Sequence, residues 1–292
     1  SPSTPPALTT GWHQLEDAVY HADPCPLPSL SSSIANLVIN KSLMHAWRAH
    51  PRSPLFEAST FGSAVDRGSA AHSVLFGGRE IEAVEAEDYR TAAAREARDA
   101  ARSSGRIPLL AKEVAGLAAM IEPARRRFIE LHGGGFLCEQ SAIWRAGSGG
   151  WRRARIDTLS TSRALIVDYK TTEGAVDAHA CERRVADMGL QIQAAAYVDA
   201  VETLHPELQG RVKFIFQWQE QKPPYALSPP IEMSEAFLTL GRAQWQAAGM
   251  LWEQALRHQA FPGYSAQPYP ACPPPWELVR WEERERGLGL LP

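Results

Sequence analysis

Two carboxylates and a lysine lie on neighbouring segments that are predicted to be strands, Asp157 in RIDTL and Asp168 and Lys170 in IVDYK. Residues two apart in a strand point to the same face, so Asp168 and Lys170 share a face and a hairpin can bring Asp157 beside them. Two converging carboxylates repel unless a cation lies between them, and hard oxygen ligands suit Mg²⁺ or Mn²⁺. A neighbouring lysine can neutralise charge that develops on a phosphate or help to deprotonate a water. The alternative for an isolated D-x-K pattern is an ordinary ion pair on a strand surface.

Further side chains could contribute to the same chemistry. Gln193 and Tyr197 are four residues apart on a predicted helix and therefore share one of its faces. His72 lies among small residues, which leave room for a backbone or a ligand to approach closely. Glu139 lies on the first predicted strand of the sheet and could add a carboxylate. Taken singly, each has a plain structural explanation. Gln193 and Tyr197 could form a half-buried helix face, His72 could be an ordinary histidine whose hydrogen bonds are made within the protein, and Glu139 could be exposed to solvent.

The elements that must position these residues follow from periodicity and turn signals. Short segments between Gly, Ser and Thr turns predict strands, and Pro229 and Pro230 restrict the last of them to a sheet edge. The predicted strands span residues 136–144, 151–159, 164–169, 211–219 and 225–231. Apolar spacing and end signals predict helices over 31–50, 62–76, 88–102, 111–131, 178–204 and 234–259, with a break or bend at Pro123. This order predicts an α+β fold in which helices flank a central mixed sheet and a helical section precedes it.

Composition limits the class of protein. The 30 lysines and arginines against 33 acidic residues give a formal net charge of −3, so any contact with nucleic acid must come from a local patch. The 4 cysteines are scattered without a CxxC pair, which argues against a disulfide scaffold, a zinc site or an iron–sulfur cluster. Apolar runs are too short to cross a bilayer, and no leader-like segment follows Ser1, so we expect a cytoplasmic protein without a membrane partner.

Proline content suggests three regions along the chain. We expect an extended N-terminal arm over residues 1–30 and one domain over 31–261. We expect an irregular, exposed tail over 262–292, where prolines and a charged run concentrate.

The ordered set of motifs resembles the PD-(D/E)XK nuclease superfamily. More closely, it resembles the phage and prophage RecE-like exodeoxyribonuclease (exodeoxyribonuclease VIII) branch with a RecB-type QxxxY motif, here Gln193 to Tyr197. The supporting segments, beyond the residues above, are Ser31-Ser32-Ser33, LMHAWRAHP at 43–51 and FGSA at 61–64. The resemblance covers roughly residues 29–218. The sequence departs from the superfamily's name in one respect, because Ile156 precedes Asp157 where the name has proline.

The resemblance implies a role for each residue of the set. It implies that Lys170 orients or activates the attacking water, and that Gln193 and Tyr197 support the site or contact the DNA end. The implied metal ligands are His72, Asp157, Asp168 and the backbone carbonyl of Tyr169, with Glu139 as a further acidic member.

The resemblance also implies a reaction. The implied enzyme is an exodeoxyribonuclease that requires Mg²⁺ and accepts Mn²⁺ as a substitute. It would degrade linear double-stranded DNA from the 5′ end in phage-type recombination. Implied partners are DNA ends, a single-strand annealing protein and further copies of the chain in a ring. The inner wall of a ring would need basic residues. Candidates, each of which could equally be a solvated face, are Arg90, Arg95, Arg98 and Arg102; Arg125, Arg126 and Arg127; and Arg152, Arg153 and Arg155.

Two other functions fit the same residues. One is an endonuclease on the same fold, which closed circular DNA would distinguish from an exonuclease. The other is a DNA-binding module without catalysis, built on a decayed nuclease fold. The joint presence of Asp157, Asp168 and Lys170 argues against decay, because loss of any one of them would be the simplest route to inactivity.

Overall fold

The computed structural model of the chain describes residues 8–56 and 63–290, so Phe61 and Gly62 of the FGSA segment lie outside it. The strands are β1 (Gly11–His13), β2 (Ile81–Val84), β3 (Ile107–Leu110), β4 (Phe136–Arg145), β5 (Trp151–Ser160), β6 (Leu165–Thr172), β7 (Lys213–Glu220) and β8 (Ile231–Glu232). The helices are α1 (Asp17–His21), α2 (Ser32–Asn40), α3 (Leu43–Arg48), α4 (Ser63–Phe76), α5 (Ala92–Ser103), α6 (Ala111–His132), α7 (Ala178–Asp187), α8 (Leu190–Leu204), α9 (Glu235–His258) and α10 (Pro275–Gly287).

Within the described residues, the main sheet has six strands in the order β1-β4-β5-β6-β7-β8. β6 and β7 run parallel, and the other neighbours run antiparallel. Alternate strand residues face opposite sides, so Ile166 and Phe214 pack under α8 and α9, whereas Val167 and Ile215 pack against α4 and α6. The predicted α+β fold with a central mixed sheet between helices is therefore confirmed.

Several predicted helices differ from the observed helices in where, or whether, they are interrupted. The helix predicted over 31–50 is two helices, because Ser42 caps a new start by accepting a hydrogen bond from the backbone N–H of His45. The helix predicted over 178–204 ends at Asp187 and restarts after Gly189, whose φ of +67° suits glycine. α6, by contrast, runs through Pro123 as one helix, and its buried side chains hold it against the sheet.

The small sheet is absent from the prediction. β2 and β3 pair in parallel on either side of α5. β3 is the buried tetrapeptide Ile-Pro-Leu-Leu, which is too short and too close to the start of α6 to stand out as a strand. The predicted strand over 225–231 is also shorter, with β8 at its end and one isolated bridge between Leu227 and Gln219.

The N-terminal residues differ from the predicted extended arm. Residues 11–13 form β1 against β4, residues 17–21 form α1, and Leu30 bridges to Arg152. Ionic and aromatic contacts hold this segment to the sheet, including Asp17 with Arg155 and Tyr20 with Arg153.

The chain forms two compact units, residues 1–262 and residues 263–292. The second unit contains α10, whereas the proline-rich sequence predicts an irregular tail. Pro275 lies in the first turn of the helix, where its missing N–H costs nothing, and ion pairs such as Arg280 with Glu277 support the later turns. None of the helices in the described residues is long and apolar enough to span a membrane.

Candidate active site

The candidate site lies where β5 and β6 diverge. The ladder between them pairs Thr158 with Val167 and Leu159 with Ile166, and the next opposed positions are Asp157 and Asp168. Instead of a ladder bond, the backbone N–H of Tyr169 donates to Oδ2 of Asp157 at 2.9 Å. The fork therefore leaves unpaired two carboxylate residues that a regular hairpin would hold in register.

Asp168 is fully buried and has two side-chain partners. Nε2 of Gln193 donates to its Oδ1 at 2.7 Å, and the ammonium of Lys170 forms an ion pair with its Oδ2. Gln193 belongs to α8, the helix that packs on the same side of the sheet as Asp168 and Lys170. Gln193 on α8 thus packs a polar side chain against the strand face that Asp168 and Lys170 share, as predicted for that pair.

His72 and Glu139 reach the same place from other elements. Nε2 of His72 on α4 lies 3.1 Å from Oδ1 of Asp157 and 3.4 Å from Oε1 of Glu139. Glu139 lies opposite Asp157, since the flanking pairs are Cys138 with Thr158 and Gln140 with Ile156. Its φ of +52° is in the left-handed region, which is uncommon for a residue other than glycine and occurs often at functional sites.

Charges in this cluster shift one another's pKa values. Burial and repulsion by Asp157 raise the pKa of Asp168 to about 7, although Lys170 opposes the shift. Burial also raises the pKa of Asp157, but His72 and Lys170 outweigh it and the net shift is downward. Burial lowers the pKa of His72, but attraction to Asp157 and Glu139 raises it overall, to about 9. The site therefore favours positive charge between its carboxylates.

These residues fit a divalent cation. One ligand atom from each of His72, Glu139 and Asp157 lies within 4.8 Å of the others. Oε1 of Glu139 and Oδ2 of Asp168 are buried and accept no well-oriented hydrogen bond from the described residues, although each faces a cationic side chain. An imidazole with several carboxylates is a donor set that binds divalent metals, and binding would displace the His72 proton.

The cluster opens into a cleft of about 890 Å³. This volume is within the range of pockets that hold small ligands, and the cleft is open rather than enclosed. Catalytic candidates line part of its wall, and the start of α2 and the turn after α4 line other parts. Its lining includes His72, Asp157, Lys170, Gln193, Tyr197, Ser31, Ser32, Ser33, Gly77, Gly78 and Arg79.

Tyr197 and Tyr169 are placed differently from the charged residues. Tyr197 is one helical turn beyond Gln193, lines the cleft and is 8% exposed; burial raises the pKa of its hydroxyl well above 10. The ring of Tyr169 packs edge-on against Phe128, and its hydroxyl donates to Gln219 at 2.6 Å. Tyr169 therefore anchors β6 beneath the site through its side chain.

Sequence reasoning missed the role of Arg155. Its guanidinium forms an ion pair with Glu139, and its Nη1 lies 2.9 Å from Oδ1 of Asp17. Arg155 precedes Asp157 by two residues on β5, so the shared strand face was an available signal. The arginine instead appeared only as a member of a predicted DNA-contacting cluster.

For Arg152 and Arg153 of that cluster, the prediction of DNA contact is wrong. Arg152 and Arg153 are each 4% exposed, and they form ion pairs with Glu253 at 2.6 Å and Asp23 at 3.0 Å. Alternation along β5 puts Arg152 and Arg153 on opposite faces of the sheet, and both side chains are buried. The alternation therefore does not tell a buried arginine from an exposed one. In the other clusters, Arg102 pairs with Asp66, Arg90 with Asp88, Arg125 and Arg126 with Glu122, and Arg127 with Glu130.

Known proteins share this fold. A solved structure from Eubacterium rectale, assigned as an exonuclease, has a TM-score of 0.57 and 12% identity, and the match covers 91% of this chain and 98% of that chain. A phage-related exonuclease from Haemophilus somnus has a TM-score of 0.33 and 13% identity, with 65% and 95% covered. The first likeness supports the fold alone, and the second is too distant to add to it.

Family membership is clearer than these distant likenesses. No curated protein matches the sequence with significant similarity. The family model of the PD-(D/E)XK nuclease superfamily matches residues 30–274, which include the fork of β5 and β6 and every residue of the candidate metal site. Because this match spans most of the chain, the protein belongs to the PD-(D/E)XK nuclease superfamily.

Proposed function

We propose that the protein is a metal-dependent deoxyribonuclease that hydrolyses phosphodiester bonds of linear double-stranded DNA, as a 5′–3′ exonuclease. One observation carries the proposal: His72, Glu139, Asp157 and Lys170 meet on the wall of an open cleft, and Lys170 forms an ion pair with the buried Asp168. A stable fold does not need such a concentration of buried like charges. Phosphodiester hydrolysis would use it, because the carboxylates would hold a divalent cation, and that cation and Lys170 would offset the negative charge that the transition state gathers on the phosphate.

Each residue has a defined task in this reaction. A divalent cation held by His72, Glu139, Asp157 and Asp168 would polarise the phosphate and lower the pKa of a water. Lys170 places its ammonium at the cleft wall, where it can stabilise charge on the phosphate or orient the attacking water. Gln193 fixes Oδ1 of Asp168, so that Oδ2 remains directed at Lys170.

The finer parts of the proposal rest on the resemblance of the ordered motifs. These parts are the preference for DNA ends, the 5′ polarity, the role in phage-type recombination, and Mg²⁺ as the metal with Mn²⁺ as a substitute. A single-strand annealing protein as partner and assembly into a ring have the same basis, whereas the proposed cytoplasmic location rests on the scattered cysteines and the short apolar runs. The exonuclease assignment of the Eubacterium rectale protein concerns that protein alone, and it agrees with the exonuclease action proposed for this chain.

Labelled duplexes test the function directly. Purified protein and Mg²⁺ would be incubated with linear duplex labelled at either 5′ or 3′ ends and with covalently closed circular DNA. We expect the linear duplex to be degraded from the 5′ end, the circle to persist and EDTA to stop the reaction. Lys170→Ala is the inactive control, and Lys213→Ala is its match, since Lys213 is 66% exposed and pairs with Glu232 on β8.

Each other outcome assigns a different function. Cleavage of the closed circle would overturn exonuclease action in favour of an endonuclease. Binding of DNA without cleavage in either Mg²⁺ or Mn²⁺ would overturn the enzyme in favour of a binding module. Mass measurement in solution, with and without duplex ends, tests the proposed ring.

A further inference from the structure

The two central carboxylates lie just beyond the last pair of the β5–β6 ladder. Asp157 and Asp168 are one residue beyond the pair of Thr158 with Val167, and no ladder bond joins them. β5 and β6 share only two paired positions, whereas β4 and β5 are paired along most of their length. Across the fork itself, the backbone N–H of Tyr169 contacts only the side chain of Asp157, so Thr158 with Val167 is the nearest pair that joins the two backbones.

A side-chain bond strengthens that last pair. The hydroxyl of Thr158 is fully buried and donates to the backbone carbonyl of Val167 at 2.6 Å. Nε2 of His132 lies 2.9 Å from the same hydroxyl oxygen. A hydroxyl has a single proton, and a carbonyl can only accept, so Thr158 donates to Val167 and His132 must donate to Thr158.

His132 is held in the state that this role requires. Burial lowers the pKa of His132 to about 4, so its ring is neutral near pH 7, and the hydrogen bond to Thr158 places its proton on Nε2. Its Nδ1 is buried and has no hydrogen-bond partner among the described residues. The ring stacks on Phe136, with centroids 4.6 Å apart, at the end of α6. A chain of two bonds therefore connects α6 to the fork.

We propose that Thr158, oriented by His132, is a positioning residue that sets the spacing of Asp157 and Asp168 and thereby the affinity of the site for divalent cations. The bond joins the residue after Asp157 to the residue before Asp168, so its loss would let the fork open at the carboxylates. Groups that orient metal ligands without touching the metal commonly change metal affinity by about 10- to 100-fold. This inference rests on the proposed function, because it assumes that the cluster binds metal.

The same hairpin offers a matched control. Ser160 is 6% exposed, and its hydroxyl accepts a hydrogen bond from the backbone N–H of Leu165 at 3.1 Å. This bond also joins β5 to β6, but it lies at the turn rather than at the fork. Ser160→Ala should therefore weaken the hairpin without changing the position of the carboxylates.

Titration calorimetry with Mn²⁺ and thermal unfolding would test the proposal on the full chain. We expect Thr158→Val to weaken Mn²⁺ binding by about 10-fold or more, and Thr158→Ser to restore it because the hydroxyl is kept. Ser160→Ala should lower the melting temperature and leave the Mn²⁺ affinity unchanged. Wild-type Mn²⁺ affinity in Thr158→Val, or an equal loss in Ser160→Ala, would overturn the inference.

A second variant covers the case in which Thr158→Val does not fold. His132→Phe keeps an aromatic ring against Phe136 and removes only the donor to Thr158. We expect it to weaken Mn²⁺ binding relative to wild type, and an unchanged affinity would contradict the proposal. Failure of the wild-type protein to bind Mn²⁺ would instead overturn the proposed function, which distinguishes the two.

Discussion

Two buried clusters in this molecule use the same residue types and differ in what their carboxylates contact. The site cluster comprises His72, Glu139, Asp157, Asp168 and Lys170. The anchor cluster comprises Asp23, Ser29, His50 and Arg153, and it holds the segment between α1 and α2 to β5. Each contains a histidine, a cationic side chain and buried carboxylate, so composition alone does not separate them.

Both oxygens of Asp23 are saturated. Oδ2 accepts from the backbone N–H of Ser29 at 2.9 Å and lies 3.2 Å from Nε2 of His50. Oδ1 accepts from the hydroxyl of Ser29 at 2.8 Å and lies 3.0 Å from Nη1 of Arg153. Burial raises the pKa of Asp23, but these partners outweigh it and hold the pKa well below its usual range.

Asp168 shows the opposite balance. Burial and repulsion by Asp157 raise its pKa to about 7, and its Oδ2 lacks a well-oriented hydrogen bond. The anchor cluster thus favours the ionised form of its carboxylate, whereas in the site cluster burial and Asp157 outweigh Lys170 and disfavour the ionised form of Asp168. Incomplete satisfaction of a buried carboxylate is therefore the better indicator of function in this protein.

The largest expected effect is the loss of cleavage in Asp168→Asn. The amide removes a negative charge and the partner of Lys170, so we expect turnover to fall by at least ~10³-fold. Because burial and Asp157 disfavour the charged form, unfolding in EDTA at pH 8 should show equal or higher stability than wild type. Single-turnover cleavage and thermal unfolding measure the two quantities. Full activity with Mg²⁺ would disprove the assigned site.

Lys170→Ala should lower turnover by at least ~10²-fold, because its charge acts mainly in the transition state. Binding of duplex ends in Ca²⁺ should stay close to wild type, since other phosphate contacts remain. Lys170→Arg should not restore activity, because guanidinium differs in shape and stays protonated. Wild-type cleavage by Lys170→Ala would mean that Lys170 is only an ion-pair partner of Asp168.

Asp23→Asn tests whether the anchor cluster serves stability alone. It leaves Arg153 and His50 buried without their anion, which typically costs about 3–5 kcal/mol when a buried ion pair is broken. We expect that loss in the free energy of unfolding measured by urea denaturation. The affinity for Mn²⁺ should stay near the wild-type value at temperatures where the variant is folded. A stable variant with weakened metal binding would contradict the division between the two clusters.

The smallest expected effect concerns acid stability and His132. Its folded-state pKa of about 4 is below the ordinary value of 6.5, so the unfolded chain binds the proton more readily. Its contribution to stability is therefore complete above pH 6.5 and is lost as the pH falls toward 4. His132→Phe should show a shallower decline of unfolding free energy across this window. Equal slopes in both proteins would show that His132 does not titrate differently on folding.

Local patterns predicted the parts of the site that lie on one hairpin and one helix. The two-residue spacing placed Asp168 and Lys170 on one face, and the hairpin turn brought Asp157 close to them. The four-residue spacing placed Gln193 and Tyr197 on the helix face that lines the cleft. These relations depend on strand and helix periodicity, which short stretches of sequence already define.

Other features depend on contacts between distant segments. The sequence gives no period that distinguishes buried Arg152 and Arg153 from exposed arginines, because their burial is set by Asp23 and Glu253 far along the chain. Similarly, the break before α8 is held by a distant residue, because the side-chain amide of Asn36 donates to the backbone carbonyl of Met188 at 2.6 Å. Neither partner is visible from the local pattern.

The sequence by itself determined the family of motifs, the α+β class and the carboxylates that could face one another across a hairpin. The tertiary structure decided that His72 from α4 and Glu139 from β4 lie within contact distance of Asp157. It also decided that Arg155, through Glu139 and Asp17, connects the N-terminal segment to the site. The physical reason is range: periodicity fixes which side of an element a residue occupies, and long-range packing fixes which residues that side meets.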